Sequence, residues 1–270
     1  MANTVAPVIR QGWVRALLLL VIYVGLSVTA GFFTPNFETW ITVSFLIAVV
    51  CVYLFRRFVD KKSFEGIGLR YHDMLPHAIT GTLLAIFIVC GGALFIYFLN
   101  GIEWLDILPV TDELFVNAIL LLMVAIGEEL VFRGYVLRNL IKSMNRWLAL
   151  ALSALLFTIV HASDFQVPVT GLANIFLGGA LLGITFMHTR SLWMPVLFHF
   201  MWNFIQGPLL GFPVSGIEFS SILIMDPGSS TLLSGGDYGF EGSLVCTGLL
   251  ILASAIWLWK EKSHTRKQVA

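Results

Sequence analysis

The sequence predicts an all-α fold, a polytopic transmembrane helical bundle of about eight helices forming a single integral-membrane domain over residues 1–270. Three observations predict it. Hydrophobic residues make up 58% and charged residues 12% of the chain, with mean hydropathy +0.88; a water-soluble domain carries about twice that share of charge. Apolar runs of helix-spanning length recur from end to end, each close to the ~20 residues needed to cross a hydrocarbon core of about 30 Å. The basic residues, Arg133 excepted, are also confined to alternate connections between those runs.

In chain order the expected spans are 15–33, 40–55, 75–99, 114–138, 147–162, 169–187, 192–210 and 243–259. No small-residue cleavage site follows the first run and further spans come after it, so it reads as a helix and not as a removed signal. Cys51, Cys90 and Cys246 lie in separate apolar runs without CxxC or Cys-His spacing. They read as buried small hydrophobes. Residues 60–73 form a short polar connection. Residues 205–242 form a long one rich in Gly, Ser and Pro, whose apolar patch Phe219 to Met225 is too short to span and is assigned to the interface. No repeat relates the two halves.

The charges orient the bundle. Arg10 and Arg15 precede the first span, Arg56, Arg57, Lys61, Lys62 and Arg70 follow the second, and Arg138, Lys142 and Arg146 follow the fourth. Arg190 follows the sixth, and Lys260, Lys262, Arg266 and Lys267 follow the eighth. The opposite connections carry acids such as Glu38, Glu103, Asp164, Glu218 and Glu241 and no basic residue. The positive-inside rule therefore puts both termini in the cytoplasm, as an even number of spans requires.

Inside this apolar setting stands Gly127-Glu128-Glu129-Leu130-Val131-Phe132-Arg133, preceded from Leu114 to Ile126 by no charged side chain. An ionised carboxylate at bilayer depth costs roughly 2.5–3.5 kcal/mol on insertion scales, so intramembrane carboxylates are functional candidates. Glu129 and Arg133, four apart, lie about 40° apart around a helix and suit an ion pair, whereas Glu128 and Arg133 lie about 140° apart. Glu128 is then left for general-base work. The bland alternative is a buried structural network of all three. His161 closes Phe157-Thr158-Ile159-Val160-His161, with Phe157 placed to wall the ring; alone, a histidine at a helix end reads as an interfacial residue. His199 and Asn203 share a helix face and can aim two donors at one oxyanion, or form a polar clasp between helices. By residue count His161 falls near the outer end of its span and His199 in the inner half, so the helices must tilt or the fifth must start inside the membrane. His72, His77, His188 and His264 are expected to be solvated near cytoplasmic helix ends.

A carboxylate, two imidazoles, an amide and a compensated Arg can activate a water and bind a tetrahedral intermediate. The set also resembles a zinc site of Glu128, His161 and His199 with one open position, although HExxH is absent. No cofactor is expected; zinc stays as the alternative.

Glu128-Glu129-x-x-x-Arg133, Phe157-x-x-x-His161 and His199-x-x-x-Asn203, in this order on successive helices, resemble the CPBP intramembrane proteases, the type II CAAX prenyl endopeptidases and their bacterial relatives, also called the Abi family. Phe132-Arg133-Gly134-Tyr135 and Ser191-Leu192-Trp193-Met194-Pro195 strengthen the likeness, which covers about 114–205. The resemblance implies a catalytic core at 114–205, with Glu128 and His161 activating water, His199 and Asn203 binding the oxyanion, and Glu129 and Arg133 in support. It implies a peptide or protein substrate, lipidated ones included, in a lipid bilayer, with no nucleic acid. Two other readings stay open: a proton-coupled transporter using Glu128 and the histidines as a relay, and a non-catalytic bacteriocin-immunity or scaffold protein of the same fold. The short, Arg-rich internal loops suggest the plasma membrane.

Overall fold

The computed structural model describes residues 6–109, 112–162 and 167–269, with side chains through Lys260. Asp164 and the side chains of Lys262, His264, Arg266 and Lys267 lie outside the described residues. The helices are α1 (Gly12–Gly31), α2 (Phe37–Leu54), α3 (Met74–Phe98), α4 (Asp112–Ile141), α5 (Arg146–His161), α6 (Val169–Thr189), α7 (Trp193–Phe204) and α8 (Leu244–Val269). Each expected span overlaps one of these helices, and the long connection adds the four-residue helix Thr231–Ser234. Among the described residues, five segments are long and apolar enough to cross a membrane, and α5 and α8 contribute shorter apolar helices. Within lipid, helices satisfy their backbone groups internally, which is why uninterrupted Leu, Ile, Val and Ala runs suffice.

Local signals set the boundaries. The Asn36 side chain accepts from the Thr39 N–H and caps α2; Asn145 accepts from the Trp147 N–H and caps α5. Arg190, at φ 57°, ends α6 in the left-handed conformation. Large apolar side chains face outward, Val21 at 69% and Phe87 at 68% exposed, as expected where lipid is the solvent.

Packing pairs α3 with α7, α5 with α6, α6 with α8, and α2 with both α1 and α4. At Gly81 of α3, an added Cβ would strike the Met194 carbonyl of α7, so only glycine allows those two helices their approach. The basic connections meet at one end of the bundle. There Arg15 pairs with buried Asp60 at 2.5 Å, and Arg138 donates to the carbonyls of Gly66 and Ile67. At the other end Leu223–Asp226 (β2) pairs antiparallel with Glu103–Ile107 (β1). Part of the patch assigned to the interface is therefore a strand, whose backbone is satisfied by a second connection.

Three helices change pitch. Stretches Phe55–Val59 after α2, Leu130–Leu137 within α4 and Ile205–Leu209 after α7 are π-helical. Helical periodicity in sequence does not disclose such turns, which recur at functional sites. The expected solvation of the histidines holds for His72, 74% exposed beside Asp73. It fails for His188, which is half-buried and meets the Trp257 ring edge-on, and for His77, whose Nδ1 is buried.

Candidate functional site

The site forms where α4, α5, α6 and α7 converge. Glu129 is fully buried and Arg133 is 1% exposed. Arg133 Nη1 donates to Glu129 Oε1 at 2.6 Å, and Nη2 donates to the Gly179 carbonyl of α6 at 2.9 Å. The pair forms although Arg133 lies in the π-helical stretch. Its guanidinium also sits 4.6 Å from the centre of the Phe157 ring. Phe157 thus separates the ion pair from the His161 imidazole, 4.2 Å away ring to ring.

Glu129 has a second role that sequence spacing does not disclose. His199 Nδ1 lies 3.0 Å from Glu129 Oε1. A carboxylate paired with Arg can only accept, so Nδ1 carries the hydrogen. His161 Nδ1 lies 2.8 Å from the Phe157 carbonyl, which likewise can only accept. In both rings the tautomer is set from behind, and Nε2 is the nitrogen left to act.

Both Nε2 atoms face Glu128. Its Oε2 lies 3.5 Å from His161 Nε2 and 3.9 Å from His199 Nε2, and it is buried without a hydrogen bond. Asn203, 6% exposed, is four residues beyond His199 on the same face of α7. Its carboxamide makes no hydrogen bond among the described residues. Glu128, His161, His199 and Asn203 all line one cavity of about 470 Å³. The expected constellation is therefore assembled on three helices.

His161, the last residue of α5, and His199, within α7, both come within 4 Å of Glu128.

Residues 110–205 match the type II CAAX prenyl endopeptidase Rce1-like family. The chain carries an Rce1-like segment. All the residues just described that belong to the three motifs lie within it. The chain is also similar to the Bacillus subtilis (strain 168) protein named "Putative membrane peptidase YdiL", 27% identical over 179 residues, covering 61% of this chain and 68% of that protein. It is 26% identical over 131 residues to the "Probable multidrug resistance protein NorM" of Xylella fastidiosa (strain 9a5c), covering 46% of this chain but only 28% of that protein. The long apolar helices and these similarities fit an integral, multi-pass membrane protein.

Among the described residues, no group of three His, Cys, Asp or Glu side chains is arranged to hold a metal ion, Glu128, His161 and His199 included.

Several cavity residues lie outside the three motifs. Ser27 of α1 and Ser44 of α2 line the cavity. Glu241, from the long connection, lines it as well. Nothing in the sequence marks these residues, because each is an ordinary polar residue until the chain folds it over the Rce1-like core.

Proposed function

We propose that this chain is an intramembrane endopeptidase in which Glu128 and His161 activate the attacking water, while His199 and Asn203 hold the oxyanion. The observation that carries this reading is the orphaned Glu128 Oε2, buried opposite two imidazole Nε2 atoms whose tautomers are fixed from behind. Two facing acceptors, Oε2 and His161 Nε2, need a hydrogen between them, and a water can supply one to each. Its oxygen then keeps a lone pair for a peptide carbonyl carbon.

When that oxygen attacks, the water gives one proton to the Glu128–His161 pair and the carbonyl oxygen takes the negative charge. The Asn203 carboxamide, with its N–H groups uncommitted, donates to that oxygen. His199 can donate through Nε2 only as an imidazolium, because Nδ1 already gives its hydrogen to Glu129. Glu129, which also accepts from Arg133, holds that ring in place. Collapse of the intermediate breaks the C–N bond, and the proton held by Glu128 and His161 passes to the leaving amine.

In this reading 1–270 is one integral-membrane domain with 114–205 as the catalytic core, both termini are cytoplasmic, and the protein resides in the plasma membrane. The substrate is a peptide or protein presented within the bilayer, lipidated ones included. Purified full-length chain in lipid nanodiscs should cleave a quenched-peptide mixture. Glu128→Gln and His161→Ala should abolish cleavage by about 10³-fold or more while the helical signal and thermal midpoint persist. Full activity in either variant would remove the assigned base. Dialysis against a strong chelator should leave cleavage intact; loss restored by zinc would replace this chemistry with the metal alternative.

A second reading draws on the partial similarity to NorM: a proton-coupled transporter in which Glu128 relays protons. Solute flux in proteoliposomes, absent in Glu128→Gln, would favour it over hydrolysis.

A further inference from the structure

A second carboxylate stands in the same cavity, outside the Rce1-like segment and unused by the reaction. The chain turns at Gly239, φ 83°, where a Cβ would strike the Pro213 carbonyl, and this turn brings Glu241 over the cavity. Glu241 Oε1 accepts from Trp202 Nε1 at 3.0 Å. Its Oε2 accepts from the Ser215 backbone N–H at 2.9 Å and from the Ser215 hydroxyl at 2.7 Å. Asn174 Nδ2 holds the Glu241 carbonyl at 2.7 Å. Three donors fix the carboxylate in one direction.

Among the described residues lining this cavity there is no Lys or Arg. The lining also includes the aromatic side chains Tyr23, Phe37, Trp40 and Phe45 of α1 and α2. An ammonium or guanidinium in such a space is drawn by the carboxylate and by the ring faces alike. An aliphatic side chain of equal size gains from neither.

We infer that Glu241 is a specificity residue that receives a cationic group of the substrate, so that the cavity selects peptides bearing an ammonium or guanidinium near the bond to be cut. This deepens the peptidase reading and rests on it. The cation can come from a Lys or Arg side chain or from a free amino terminus. The charge would meet Glu241 while the carbonyl meets Glu128, His199 and Asn203 across the same cavity.

The test uses full-length protein in nanodiscs and three quenched-peptide mixtures with otherwise randomised sequence: N-acetylated with one fixed Lys, N-acetylated with norleucine in its place, and norleucine with a free amino terminus. The Lys mixture should be cleaved about tenfold faster in kcat/KM than the acetylated norleucine mixture, mostly through KM. Glu241→Gln should bring the ratio below about twofold. Ser215→Ala, which loosens the carboxylate but keeps its charge, should leave the ratio above about fivefold. A preference for the free-terminus mixture in place of Lys, lost in Glu241→Gln, would support the site and name the terminus as its source.

Equal cleavage of all three mixtures, or a ratio unmoved by Glu241→Gln, would overturn the inference while leaving the peptidase standing. If no mixture is cleaved, the peptidase reading fails, and lysine amide is then the probe. A thermal-midpoint rise with the unmodified protein that Glu241→Gln abolishes would keep the cation site, and no rise would overturn it.

Discussion

His199 Nδ1 and Arg133 Nη1 share one acceptor, Glu129 Oε1, at 3.0 and 2.6 Å. The arrangement joins α7 to α4 through a single buried carboxylate. The Gly179 carbonyl, bound by the other guanidinium nitrogen, adds α6. The ion pair therefore does more than offset two charges: it sets which nitrogen of His199 faces the cavity. Buried charges that satisfy one another in this way carry geometry as well as energy.

Glu129→Gln follows from that shared oxygen. The amide keeps an acceptor of the same shape but loses the charge that balances Arg133. Breaking a buried pair by removing one partner typically destabilises by about 3–5 kcal/mol. Both cleavage and thermal midpoint should fall. Glu128→Gln, by contrast, should remove cleavage with the midpoint nearly unchanged, because Glu128 Oε2 holds no hydrogen bond to lose. Parallel kcat and melting measurements on the two variants check the division, and equal destabilisation would contradict it.

Asn203→Ala tests the oxyanion pair. The carboxamide has no hydrogen bond among the described residues, so its removal breaks no structural contact of that kind. Losing one oxyanion donor costs about 10²–10³ in kcat. Cleavage should drop on that scale with KM little altered. A rise in KM at constant kcat would instead make Asn203 a ground-state contact.

The bundle is legible in the sequence because each span is an apolar run bounded by polar or charged connections, and each expected span overlaps a helix among the described residues. The Glu129–Arg133 pair is legible because four-residue spacing survives the pitch change after Glu129. His199 as the third member of that pair is not, since nothing local relates residues seventy positions apart. The two short strands are hidden for a similar reason: Glu103–Ile107 and Leu223–Asp226 acquire their pairing only when the outer connections meet. Glu241 reads from the sequence as one more acid in a polar loop, and becomes distinctive only through Trp202 and Ser215.

Asp60 illustrates a structural charge outside the site. It is fully buried, pairs with Arg15 and accepts from the Tyr135 hydroxyl at 3.3 Å, tying α1 and the end of α2 to the π-helical part of α4. Asp60→Ala leaves Arg15 buried without its counter-charge, at a cost of about 3–5 kcal/mol. The double variant Arg15→Met, Asp60→Leu removes both charges and should recover much of that loss. Chemical unfolding in detergent checks the order, and a double variant weaker than the single one would refute it.

Lys142, just past the end of α4, gives the pH dependence. Its Nζ donates to Asn139 Oδ1 at 3.1 Å. Burial pushes the ammonium down to about 8, against the pull of Asp60 and with help from the nearby cations Lys62, Arg15 and Arg56. Near pH 8 roughly half of this amine is therefore unprotonated, against under about 1% for an ordinary lysine near 10.4. Acylation at pH 8, followed site by site by mass spectrometry, should single out Lys142 among the lysines. The sign of the stability effect follows from the same depression. Between about pH 8 and 10.4 the unfolded chain binds more protons at this site than the folded one, so its contribution to stability rises with pH across that window. Below pH 8 the charged form is a standing cost. Lys142→Gln should raise the thermal midpoint at pH 7 and lose that advantage by pH 10; an advantage independent of pH would place its origin elsewhere than in the charge.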